Sequence, residues 1–214
     1  MSDNADIAAS DIDFLFEHYD GLIGALIDHT PIQPAMLYLM DWSVESNLVL
    51  LRALLYDLLD LVEQLLPSLA HAIVEWRSAM AAREAAYIRL EATAFSRAAL
   101  LADYQKDRER FLGCLAACDR DSVLNKLDTH RLSHNLAIRT WLAYLLAYLY
   151  RDDPQMLAQE TQFLDSALHA RIPPAFVQGL GSWDDHDHCC RNLEPRAHWW
   201  CYREGYAAAN TAGV

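Results

Sequence analysis

Basic charge is what this chain has least of, with two lysines and fifteen arginines facing thirty acids, a net charge of −13. That balance argues against a nucleic-acid binder, which needs a positive exposed face to meet phosphates. Glycine is scarce too, seven in 214 residues. There is no glycine-rich phosphate loop and no Gly-x-Ser-x-Gly turn, so the usual signs of a nucleotide site or a serine hydrolase are missing. Long apolar runs are absent: the longest, Trp141 to Tyr150, is ten residues, and a bilayer needs about twenty. The leucine-rich stretch before Pro67 is interrupted by Arg52, Asp57, Asp60 and Glu63. The first residues, MSDNADIAAS, are acidic and lack a signal peptide's basic and apolar regions. A soluble, cytoplasmic protein without membrane contact is expected. Five cysteines, an odd number, do not suggest a disulfide framework. Period-two alternation is also missing, which leaves an all-α chain.

What is present is apolar and helical in period. At 53% hydrophobic the chain is too apolar for disorder and long enough to bury a core. Ser10 and Asp13 look like a capping box, followed by a stripe of Ile12, Leu15, Phe16, Tyr19, Leu22, Ile23 and Leu26. After Pro31 and Pro34 a short helical turn is expected in AMLYLMDW. Ser43 then caps a helix to Leu66, with Leu48, Leu51, Leu55, Leu58, Val62 and Leu65 in heptad register. Leu50, Leu54 and Leu61 widen this stripe, as a central helix requires. Residues 68–112 contain neither proline nor glycine, so one very long helix or a break near Thr93–Ser96 is expected. ADYQKDRERFL within it reads as solvated. A short helix after CDRDS and an all-round apolar, buried helix from about His130 to Arg151 come next. Asp153-Pro154 opens another helix to about Ala170, and Pro195 opens a last one to about Asn210. The expected fold is a single multi-helix bundle of seven or eight helices over 1–214. It would comprise acidic N-terminal helices (10–66), a helical core (68–170) and a C-terminal loop and helix (171–214).

The charge is unevenly spread. Residues 1–66 hold twelve acids and one base, Arg52; residues 67–151 hold nine acids and twelve bases; residues 152–214 hold nine acids and four bases. The middle, at +3, cannot neutralise −11 at the front, so an acidic surface is expected to face a basic partner. The first helix concentrates it, with Asp13, Glu17, Asp20 and Asp28 on the face opposite the apolar stripe. Like charges at this spacing repel, and no lysine is mixed in to relieve them.

Candidate chemistry gathers at GSWDDHDHCCRNLEPRAHWWC, residues 181–201. His186, His188, Cys189, Cys190, His198 and Cys201 offer enough donors for a zinc ion, and they motivate an alternative reading as a metal-binding helical enzyme. Paired Cys-x-x-Cys spacing is missing there, and a solvated loop is the simpler reading, so no metal or cofactor is expected. No Glu-x-x-His occurs anywhere, against a di-iron carboxylate bundle. His130 and His134 share a helical face, but such surface pairs mostly carry no ligand. Asp165–His169 and Glu194–His198 are four-apart acid–histidine pairs, equally suited to acid–base work or to an ordinary helix surface. Cys114 and Cys118 fit small core residues. Trp183 with Asp184, Asp185 and Asp187 combines an aromatic anchor with a charged rim, as protein-binding hot spots do.

The stretch HWWCYREGYAAAN, residues 198–210, resembles the C-terminal signature of the helical immunity proteins that neutralise polymorphic and type VI-secreted nuclease toxins. In that signature an aromatic-Gly-Tyr-Trp run precedes a glutamate and several alanines. Trp200, Glu204, Tyr206 and Ala207 to Ala209 match it, while Gly205 follows the glutamate instead of preceding it. The resemblance covers about a dozen residues. It implies a small acidic helical protein that binds a basic toxin and blocks its active site; separately, the lack of a catalytic signature leads to the expectation that the chain is not an enzyme. The binding residues would be Asp13, Glu17, Asp20, Asp28, Trp183, Asp184, Asp185 and Asp187. A scaffold that forms homodimers or larger homo-oligomers through apolar helices is a third expectation.

Overall fold

A computed structural model describes residues 2–28, 42–65, 67–117 and 129–171. Among these the chain is all-helical, with six α-helices, one 3-10 turn and no strand. The expected short helices in 35–42 and after CDRDS, and the last helix from Pro195, lie outside the described residues. The chain divides into two compact units, residues 1–103 and 104–214, with the boundary inside one helix.

In the first unit, α1 spans Ser2–Asp28, α2 Val44–Leu65 and α3 Ala70–Thr93. The start of α1 corrects the capping-box reading: Ser10 lies inside the helix. The reason is compositional, since the residues between Ser2 and Ser10 include three alanines and no glycine or proline to stop the helix. The apolar stripe behaves as its spacing demands. Ile12, Leu15, Phe16, Tyr19, Leu22 and Ile23 are buried, with Leu26 half-buried. Leu48, Leu51, Leu55, Leu58 and Val62 of α2 are buried along with Val49, Leu50 and Leu59, so that helix is central. α1 and α3 both pack against it and against each other. The N-terminus of α2 is closed as expected: Ser46 N–H donates to Ser43 Oγ at 3.3 Å and Asn47 N–H to Ser43 O at 3.1 Å.

A 3-10 turn, Pro67–Leu69, links α2 to α3. The proline-free stretch does break, between Thr93 and Arg97, where α4 (Arg97–Ala117) begins. Ser96 makes the break by capping the new helix. Its Oγ accepts Ala99 N–H at 3.3 Å and its carbonyl accepts Leu100 N–H at 3.0 Å. Tyr87 and Phe95 pack edge to face across the corner at 5.6 Å.

In the second unit lie the rest of α4, α5 (Thr129–Leu149) and α6 (Pro154–Arg171). The solvated reading of ADYQKDRERFL needs correction. Tyr104, Asp107 and Phe111, at steps of three and four, are buried, and only the opposite face is exposed. Ile138, Leu142, Tyr144, Leu145, Leu146 and Leu149 bury much of α5, as its apolar circumference requires. Asp153 caps α6 through Oδ1, which accepts Met156 N–H at 3.0 Å. No described helix is long and apolar enough to cross a membrane.

Candidate partner-binding surface

The acidic ridge of α1 follows from its sequence: with the apolar stripe turned to α2 and α3, Asp13, Glu17, Asp20 and Asp28 are left outward and exposed. They are not equivalent. Trp76, on α3, donates its indole N–H to Asp13 Oδ1 at 3.1 Å. Arg83, also on α3, grips Asp20 with Nε–H on Oδ1 and Nη2–H on Oδ2 while its guanidinium lies 5.1 Å from the Phe16 ring centre. Hydrogen bonding to Asp20 holds the Arg83 pKa above its ordinary value. Glu17 and Asp28 have no hydrogen-bond or ion-pair partner among the described residues. Asp13 and Asp20 therefore face solvent while serving the α1–α3 contact, and Glu17 and Asp28 carry unanswered charge.

Two more arginines of this unit, Arg77 and Arg52, are committed in the same way. Arg77 bridges Asp60 Oδ1, at 2.7 Å, and Glu63 Oε2 on α2. Arg52 holds Glu84 through two bonds of 3.2 and 2.6 Å, between the rings of Tyr56 and Tyr87 at 5.0 and 4.6 Å. Tyr56 O–H donates to the same carboxylate at 3.2 Å. Burial raises the Tyr56 pKa first, and the neighbouring Glu84 charge adds to it. Burial also raises Tyr19, whose hydroxyl is fully enclosed without a hydrogen-bond partner among the described residues. Charge pairing of this kind between helices was invisible in the sequence, because Asp20 and Arg83 are 63 residues apart and Arg52 and Glu84 are 32 apart. Arg52 standing alone among twelve acids was the one available hint that it has a special place.

Residues 1–103 carry sixteen acids and five arginines, net −11. Three of the five arginines, Arg52, Arg77 and Arg83, answer four carboxylates between them. These pairs lie within the unit, whose sequence still carries eleven more negative than positive charges.

In the second unit the four-apart pair Asp165–His169 takes a different form from a catalytic dyad. Asp165 Oδ1 accepts Arg139 Nε–H and Nη2–H at 3.2 and 2.6 Å, and Arg139 is almost wholly buried. Burial lowers the His169 pKa, opposed only in part by the Asp165 charge. Glu160 accepts Tyr104 O–H at 2.9 Å and Arg108 Nε–H at 3.1 Å, and Arg108 lies 4.4 Å from the Phe163 ring centre. These are clasps between α4, α5 and α6.

Trp183, Asp184, Asp185 and Asp187 lie outside the described residues, as do His186, His188, Cys189, Cys190, Glu194, His198, Cys201 and Cys118. The side chains of His130 and His134, on α5, are likewise outside them. Cys114 is a free, half-buried thiol. Among the described residues no group of three or more His, Cys, Asp or Glu is placed to hold a metal ion. No protein-family model, no curated protein and no solved structure matches this chain.

Proposed function

We propose that this chain is an acidic protein-binding inhibitor, an immunity protein that neutralises a basic, nuclease-like toxin by covering its active site. The observation that carries this reading is the negative excess of the first unit, which persists after most of its arginines are spent on internal pairs. A basic surface made to hold phosphates is the complementary target, and carboxylates on α1 would occupy the positions of those phosphates. The resemblance of residues 198–210 to helical immunity proteins supports the same class of partner.

Within the ridge, Glu17 and Asp28 are the carboxylates able to engage a partner at no cost to the fold. Asp13 and Asp20 contribute potential while remaining tied to Trp76 and Arg83. Steering of this kind raises association rates roughly ten- to a thousand-fold and fades with salt. The test is capture of the cognate basic protein from the native cell, followed by association kinetics at two ionic strengths. The expected result is an association rate that falls with salt and falls again in Glu17→Lys and Asp28→Lys. A captured partner whose binding ignores both salt and these reversals overturns the mechanism.

A further inference from the structure

Along the outer side of α3 runs a stripe of exposed, uncharged positions, with Glu75 and Arg89 exposed beside it. Ala70, Val74, Ser78, Ala81, Ala82, Ala85, Ile88 and Ala92 are all exposed, Val74 by 66% and Ile88 by 55%. The buried face of α3, with Ile73, Trp76, Met80, Tyr87 and Leu90, already accounts for its packing in the unit. The outer residues Val74, Ser78, Ala81, Ala85, Ile88 and Ala92 recur at steps of four, three, four, three and four. That is the spacing of a coiled-coil seam.

The two flanks of this seam differ. On one side Arg77 and Glu84 turn inward to Asp60, Glu63 and Arg52. On the other stand Glu75, Ala82 and Arg89, all exposed. Glu75 meets only the exposed His71, at 3.4 Å, and the Arg89 guanidinium has no partner among the described residues. Glu75 and Arg89 are of opposite sign and fourteen residues apart, so about 21 Å of helix separates them and they cannot pair within one chain.

We infer that this face is a homodimer seam, on which α3 of a second copy lies antiparallel. Laid that way about a two-fold axis near Arg83, Val74 meets Ala92 of the second copy, Ser78 meets Ile88 and Ala81 meets Ala85. Each large side chain is opposed by a small one, and alanines let helix axes approach to about 8 Å. The same operation brings Glu75 of each copy beside Arg89 of the other, so the flank is self-complementary and both ion pairs form at once, as a two-fold interface requires. A basic partner of the kind proposed above would gain nothing from this seam, which is neutral, and the inference is independent of that reading.

The test is the solution mass of the full chain by light scattering at tens of micromolar, with dissociation measured by sedimentation equilibrium. A dimer is expected for the native chain. Glu75→Arg and Arg89→Glu should each weaken it about tenfold, because each places two like-charge contacts at the seam. The double variant should recover native affinity, and Ile88→Glu should abolish the dimer while circular dichroism shows the helices intact. A monomeric native chain overturns the inference. So does a dimer indifferent to Ile88→Glu, or one in which the double reversal fails to rescue the singles.

Discussion

Arg83 reaches from α3 to hold both carboxylate oxygens of Asp20 on α1, so a residue that reads as free surface charge is also a strut between helices. Asp20 is 48% exposed, which keeps the contribution at the surface-pair scale, below about 1 kcal/mol. A double-mutant cycle in urea should give Asp20→Ala and Arg83→Ala a coupling of about 0.5 kcal/mol. Glu17→Ala, one turn away, should leave stability unchanged. A coupling indistinguishable from zero would show that the pair is incidental.

Asp103 holds the start of α2 from a distant point in the chain. Its Oδ2 accepts Ser43 N–H at 2.9 Å and Ser46 O–H at 2.7 Å, and Ser46 is fully buried. Asp103→Ala leaves those donors short of an acceptor and removes a negative charge from a helix N-terminus, a loss of about 1–3 kcal/mol. The urea midpoint should fall accordingly. Asp103→Asn, which keeps an acceptor oxygen, should recover part of the difference.

Gly24 sits inside α1 on its half-buried side, and a Cβ added there would meet nothing within 4 Å. With room available, Gly24→Ala should stabilise the chain by about 0.5–1 kcal/mol through lower unfolded-state entropy. Thermal unfolding provides the check, and a lowered midpoint would contradict the packing described for α1.

Alkaline pH should weaken the fold. Burial raises the pKa of both Tyr19 and Tyr104 above the usual value of 10.0, and for Tyr104 the hydrogen bond to Glu160 raises it further. A raised folded-state value means that the unfolded chain ionises first. The tyrosines' contribution is then whole below pH 10 and declines as pH climbs through the folded-state values. Urea unfolding at stepped pH, with tyrosinate absorbance followed in parallel, should show stability falling above about pH 10. Tyr19→Phe removes a buried hydroxyl that has no partner among the described residues, so it should be neutral or stabilising at pH 7 and should flatten this decline.

What could be read from the sequence is what local spacing encodes. The stripes of α1 and α2, the break closed by Ser96 and the Asp153 cap each depend on residues within one or two helical turns. The front of α1 escaped that reading because a good cap at Ser10 says where a helix can start, not where it must. The stretch around Asp107 escaped it because dense charge on three sides hid an apolar stripe at Tyr104 and Phe111. Asp13 with Trp76, and Asp20 with Arg83, could not be read at all, since nothing near either partner names the other. The ridge was therefore visible as charge but not as structure. The seam on α3 was equally hidden, because which side of an alanine-rich helix faces solvent depends on where Trp76 and Tyr87 are buried.

The carboxylate that completes α2 has a consequence for the order of events as the chain emerges during synthesis. Asp103 follows Ser43 by 60 residues and Ser46 by 57, so the ribosome must release α2, all of α3 and the first turns of α4 before that helix is sealed. Until then its opening turn is left to the Ser43 hydroxyl alone. A nascent chain stalled between α3 and Asp103 would hold a leucine-rich helix with a fraying end, a natural target for a chaperone that recognises exposed apolar segments.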